Sequence, residues 1–187
     1  MKWAEEVVNV TYKMLLDEQN ELDRIRGRRF IWNVRQYDEK WLQYLLMRGL
    51  RKDHRVSDVR GEFPAECGQR FVDIVVVGRD GDSAALELKM GAVRGKKAVG
   101  GSSFTNQIRK ELKKLGVTEC SQRLTEKCVL ALPYGAQDHV KQWAEQNSEI
   151  TFNSHRKRQS ARQMAASAQI PLGEKDVLAV VCFVTQD

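Results

Sequence analysis

Residues 71–90 read FVDIVVVGRDGDSAALELKM, from Phe71 to Met90. The first seven are rich in β-branched side chains and predict a strand over 71–77. Arg79-Asp80-Gly81-Asp82 follows, and Asp-Gly is a common signal for a tight hairpin turn. Ser83 to Met90 predicts the returning strand. With the turn centred near Asp80-Gly81, residues whose numbers sum to about 160 face each other across the pair. Asp73 then lies opposite Glu87 to Lys89. Side chains alternate along a strand, so Glu87 and Lys89 share a face, while Leu86, Leu88 and Met90 take the other. Val72, Ile74 and Val76 alternate with Asp73 in the same way. Two carboxylates and an ammonium meet at one end of the hairpin, flanked by apolar residues.

Charges placed beside a core are costly unless they pair or bind a metal. Two neighbouring carboxylates repel, and a divalent cation relieves the repulsion. Mg²⁺ takes oxygen ligands, accepts one or two carboxylates, and keeps room for water and substrate phosphate. Such a cation polarises a phosphodiester and lowers the pKa of water. A lysine beside it can hold that water or the charge developing on phosphorus.

Outward from the hairpin, Trp3, Val7, Val10, Met14 and Leu15 recur at helical spacing and predict an amphipathic helix over 3–23, broken by the Arg24–Arg29 stretch with Gly27. Asp38 is placed to cap a second helix, 38–50, with Trp41, Leu42, Leu45, Leu46 and Leu50 on its apolar face. Val56 to Phe63 predicts a weaker strand, closed or distorted by Pro64. Beyond the hairpin come a Gly-rich loop, 91–102, a helix around 105–115, a strand over 127–132 and a helix over 137–146. The basic, Ala-rich stretch 155–169 reads as a further helix. Asp176 to Thr185 reads as a final buried strand. Strands that cluster first and then alternate with helices imply an α/β layered domain with a mixed sheet.

The 187 residues fit one domain, 1–187, able to bury a core without staples. At 42% hydrophobic and 30% charged the composition is that of an ordinary soluble chain. No apolar run approaches the ~20 residues of a membrane span. The start, Met1-Lys2-Trp3-Ala4-Glu5-Glu6, lacks the apolar stretch of a signal peptide. The expectation is a cytoplasmic protein without a membrane partner. The four cysteines, Cys67, Cys120, Cys128 and Cys182, form no C-x-x-C pair and argue against zinc. Cys128 and Cys182 sit in apolar runs as small core residues.

The net charge of +6 is unevenly placed. From Lys89 to Leu115 the basic residues are Lys89, Arg94, Lys96, Lys97, Arg109, Lys110, Lys113 and Lys114, and the only acid is Glu111. A focused positive segment implies a polyanionic partner. Smaller clusters stand at Arg24–Arg29 and at His155–Arg162; each also reads simply as a solvated basic face.

Asp73, thirteen intervening residues and then Glu87-Leu88-Lys89 resembles the D-(x)n-(D/E)-x-K signature of the PD-(D/E)XK, or restriction-endonuclease-like, nuclease superfamily. The predicted order over about 37–135 is similar to that family's αβββαβ core, with a mixed central sheet flanked by helices. The extra N-terminal helix and a C-terminal helix-strand extension lie outside the resemblance. It implies a metal-dependent nuclease acting on DNA with Mg²⁺ or Mn²⁺. Asp73, Glu87 and the backbone carbonyl of Leu88 would hold the metal, and Lys89 would assist the attacking water. Glu39 matches the first-helix glutamate of many members, and Gln107 the glutamine early in the helix after the E-x-K strand. Arg94, Lys96, Lys97, Arg109, Lys110, Lys113 and Lys114 would bind phosphates. The resemblance also implies a homodimer, as in many members. Two features depart from it: Val72 stands where a proline often precedes the aspartate, and Glu111 where some branches carry a tyrosine.

Each residue also has a plainer reading. Asp73 can be a polar residue at a strand edge, and Glu87 with Lys89 a surface ion pair worth little. Glu39 can be a first-turn acid favoured by the helix dipole, and Gln107 an exposed helix residue. Glu62 and Glu66 are rival third carboxylates. His54, His139 and His155 show no ligand spacing. The rival functions are a nucleic-acid-binding module without catalysis, and a protein-interaction module built on the same fold.

Overall fold

In the computed structural model the hairpin forms in the expected register. Strand β2 (Phe71–Gly78) pairs antiparallel with β3 (Ser83–Ala92), from Val77↔Ser83 to Ile74↔Leu86. Gly78 N donates to Asp82 O at 2.7 Å, and Gly81 adopts φ 87°, a conformation that L side chains resist. The structure describes residues 3–26, 39–64, 71–93, 101–116, 124–154, 157–172 and 175–186.

Around the hairpin the described order is α1 (Trp3–Arg26), α2 (Glu39–Leu50), β1 (Val56–Pro64), β2, β3, α3 (Gly101–Gly116), β4 (Glu126–Ala136), α4 (Gln137–Gln146), β5 (Glu149–Ser154), β6 (Lys157–Ala166), β7 (Ile170–Pro171), β8 (Asp176–Leu178) and β9 (Val181–Gln186). The strands form one mixed, open sheet in the order β1-β2-β3-β4-β9-β6-β5. Only β3 and β4 run parallel among the described pairs. A parallel pair needs a long crossover, and α3 provides it. The chain is therefore α/β with four described helices. Among the described residues no helix is long and apolar enough to cross a membrane.

Two apolar layers lie on the two faces of the sheet. On one, α1 and α2 bring Trp3, Val7, Leu42 and Leu46 against Ile74, Leu86, Leu88 and Leu130. On the other, α3 and α4 bring Phe104, Ile108, Leu112 and Trp143 against Val75, Ala85, Val129 and Phe183. The alternation expected for β3 is the reason: Leu86 and Leu88 enter the first layer, while Glu87 and Lys89 face α3. Cys128 and Cys182, free and buried on adjoining strands, behave as small core residues.

Three interactions fix the helices over the sheet. The Glu126 carboxylate accepts from Trp3 N and Ala4 N, 3.1 Å each, and so satisfies the free N–H groups at the start of α1. Gly49 lets α1 approach α2; a Cβ there would meet Val10 Cγ1 at 2.6 Å. Trp143 Nε1 donates to Thr105 Oγ1 at 3.0 Å and ties α4 to α3.

The C-terminal part departs from expectation. Residues 157–166 are not a helix but strand β6, paired with β5 and β9. The alanine-rich composition misleads because helix propensity is a weak preference, overridden by two neighbouring strands. Ala161 is buried between exposed Arg158 and Arg162, which is how a half-covered strand presents. The extension after α4 is thus built mainly of strands. The expected strand 176–185 is two: β8 pairs with Tyr134–Ala136 and β9 with Cys128–Ala131 of the same β4. Helix α3 starts at Gly101, ahead of the expected 105. Asp38, Cys67, Cys120, Glu66 and His155 lie outside the described residues.

Candidate active site

The β2–β3 ladder stops at Ile74↔Leu86. One residue further on, the Asp73 side chain takes over: its Oδ2 accepts from Leu88 N at 2.8 Å. Asp73 is held from behind as well, since its carbonyl accepts from the Gln43 amide on α2. A residue's N–H and C=O face the same edge of a regular strand, so the Leu88 carbonyl faces the Asp73 side too.

Glu87 is buried, its side chain 2% exposed, and points to α3. Lys114 Nζ stands 2.7 Å from Glu87 Oε1. Burial first, and then the charge of Asp73, push the Glu87 pKa up to about 8. Lys114 pulls the other way, and Glu111 adds repulsion. The Lys114 ammonium is close, yet desolvation outweighs it: one positive charge does not offset burial plus neighbouring carboxylates.

Lys89 sits between two helices. Its Nζ donates to Glu39 Oε2 at 2.9 Å and lies 3.5 Å from Glu111 Oε1. Glu39 Oε1 also accepts from Met90 N at 3.3 Å. Burial opposes the Lys89 ammonium, but Glu39 and Glu111 outweigh it and raise its pKa above the ordinary 10.5. Lys89 is therefore firmly charged.

Asp73, Glu87, Lys89 and Glu39 thus gather at one end of β2 and β3. Gln107 is exposed on α3, four residues before Glu111 and seven before Lys114, on the same helical face. Arg109, Lys110 and Lys113 are exposed on α3, with Arg109 Nη1 donating to Asn106 Oδ1 at 2.8 Å. Lys114 differs from them: it turns inward to Glu87. Arg94, Lys96 and Lys97 lie outside the described residues. Glu62 falls beside the site on β1, between Gly61↔Ile74 and Phe63↔Val72, and pairs with Lys40.

Sequence reasoning passed over Gln43, Glu111 and the inward turn of Lys114. Gln43 had a signal: it is four residues after Glu39 and buried beside Leu42, Leu45 and Leu46. Glu111 had another, as the only acid in its basic segment and three residues before Lys114.

Among the described residues no three acidic, histidine or cysteine side chains converge as a ready-made metal cage. Asp73, Glu87 and the Leu88 carbonyl are oxygen donors of the kind that a hard divalent cation takes, one or two of them carboxylates. Among the described residues, Lys89 pairs with Glu39 and Glu111, and Lys114 with Glu87 and Glu111. Comparison with known protein families, with curated proteins and with solved structures finds no match.

Proposed function

We propose that this chain is a metal-dependent phosphodiester hydrolase acting on DNA, of the PD-(D/E)XK kind. The observation that carries the reading is the convergence of Asp73 with buried Glu87, Leu88 between them, and charged Lys89 on the next outward position of the same strand. Asp73, Glu87 and the Leu88 carbonyl would hold Mg²⁺ or Mn²⁺. Bound there, the cation supplies polarisation of the phosphodiester and a lowered pKa for water. Lys89 is too firmly protonated to act as a base, so it serves as a donor and positive charge toward the phosphate. Glu39 and Glu111 hold the Lys89 ammonium in place. Gln107, on the same face of α3 as Glu111 and Lys114, would orient the site. Arg109, Lys110 and Lys113 offer their charges outward to the nucleic-acid backbone, and Arg94, Lys96 and Lys97, earlier in the sequence, would add to them.

The test is incubation with plasmid, linear, single-stranded and branched DNA in Mg²⁺ or Mn²⁺. Cleavage that chelation stops is the expected result. Absence of cleavage for every substrate in either metal contradicts it. One observation favours a second reading, binding without cleavage: Lys114 already occupies Glu87 Oε1. That reading requires DNA affinity indifferent to divalent metal.

A further inference from the structure

Lys114 stands apart from the other basic residues of α3. Arg109, Lys110 and Lys113 are exposed, whereas the Lys114 side chain is 24% exposed and ends 2.7 Å from the buried Glu87 Oε1. A buried carboxylate needs a counter-charge. A divalent cation held by Asp73 and Glu87 would meet the ammonium on that same carboxylate, where two cations repel.

We infer that Lys114 is the resident counter-cation of the metal-free site, displaced from Glu87 when a divalent metal takes that carboxylate. This rests on the metal-centre reading above. The structure supplies the displaced ammonium with a second anion, because Glu111 Oε2 lies 3.9 Å from Lys114 Nζ, one helical turn away. The lysine stem is flexible enough to make that change. Lys89 is placed differently, since its anions are Glu39 and Glu111 rather than a proposed metal ligand. A displaced Lys114 near the basic face of α3 also gains a partner in a backbone phosphate. Metal and nucleic acid then help each other to bind, reciprocally, through this one side chain.

The test is calorimetric titration of the full-length metal-free protein with Mn²⁺, without nucleic acid, for wild type, Lys114→Met and Lys89→Met. At a pH where Glu87 is ionised in both proteins, Lys114→Met should bind Mn²⁺ about tenfold more tightly than wild type, as removal of a competing charge predicts, and Lys89→Met should change affinity less. Without metal, Lys114→Met should melt lower than wild type, and Mn²⁺ should raise its melting temperature more than it raises that of wild type. Lys114→Gln, which keeps a polar contact to Glu87, serves if Lys114→Met does not fold. If wild type binds Mn²⁺, Asp73→Asn abolishes that binding, and the Lys114 variant binds no more tightly than wild type, then the counter-cation role is wrong and the metal centre stands. If wild type and both Lys114 variants all fail to bind Mn²⁺, the metal-centre reading falls and this inference falls with it.

Discussion

At the scale of single residues, the cost of burying Glu87 governs the site. Its pKa in the metal-free protein is about 8 against an ordinary 4.5, chiefly through burial. Between those values the folded chain keeps a proton that the unfolded chain has released. Stability therefore falls as pH rises through that window and levels off above it, by up to about 1.4 kcal/mol per pH unit within it. Melting curves in chelator at pH 5 to 9 should show this fall for wild type and a flatter profile for Glu87→Gln. Equal slopes for the two proteins would remove Glu87 as the source. Asp73→Asn should leave the metal-free fold level or slightly stabilised, because it relieves repulsion on Glu87, while ending metal-dependent cleavage. Lys89→Ala should lose cleavage by a factor on the order of 10²–10³, the usual cost of removing a group that stabilises developing charge. Its Mn²⁺ affinity should not drop, since Lys89 is a cation and not a ligand. A variant that cleaves at the wild-type rate would free Lys89 from any role in the chemistry. The approach of Asp73 to the Glu87-Leu88 stretch was legible because one Asp-Gly turn sets the register of the hairpin, but the two-residue period breaks at Asp73: Val72 joins the layer under α3 while Ile74 and Val76 join the layer under α1 and α2. Lys114 was read as a phosphate-binding residue rather than as the partner of Glu87, and Glu111 was not legible as a site residue. Their placement depends on how α3 lies across β3, and local periodicity does not encode that crossing.

At the scale of elements, α3 does two things at once. Its inner face packs Phe104, Ile108, Leu112 and Leu115 on the sheet, and it presents Arg109, Lys110 and Lys113 to solvent. Replacing those three by Ala or Gln should weaken DNA binding uniformly across sequences. It should also flatten the dependence of log affinity on log salt by roughly one unit for each phosphate that is no longer neutralised. An unchanged slope in fluorescence titrations over a salt series would mean that this face does not touch the backbone. The helices α1 and α2 were readable from their apolar spacing, and α3 and α4 were placed to within a few residues. β6 was misread because its composition suits a helix while its two partner strands decide the outcome. β5 was passed over although Glu149–Ser154 alternates exposed and buried along its whole length, the pattern of a half-covered strand.

At the scale of the whole molecule, one sheet joins both apolar layers, and α1 is pinned to it through Glu126 and to α2 through the close approach at Gly49. Gly49→Leu should force the two helices apart and cost about 1–3 kcal/mol, the usual penalty of overpacking, seen as a lower urea midpoint. A midpoint equal to that of wild type would show that α1 does not depend on that close approach. The strands β2 and β3 lie between α2 on one face and α3 on the other, and at the end of the shortened ladder Lys89 reaches Glu39 of α2 and Glu111 of α3. On the proposed reading that placement would make Asp73 and Glu87 partners for one divalent cation, which is open to direct observation. Crystals grown or soaked with Mn²⁺ and measured near its absorption edge should show an anomalous peak within coordination distance of oxygens of both Asp73 and Glu87, with Lys114 withdrawn from Glu87. No peak at that position under saturating Mn²⁺, with Lys114 still on Glu87, would contradict the account.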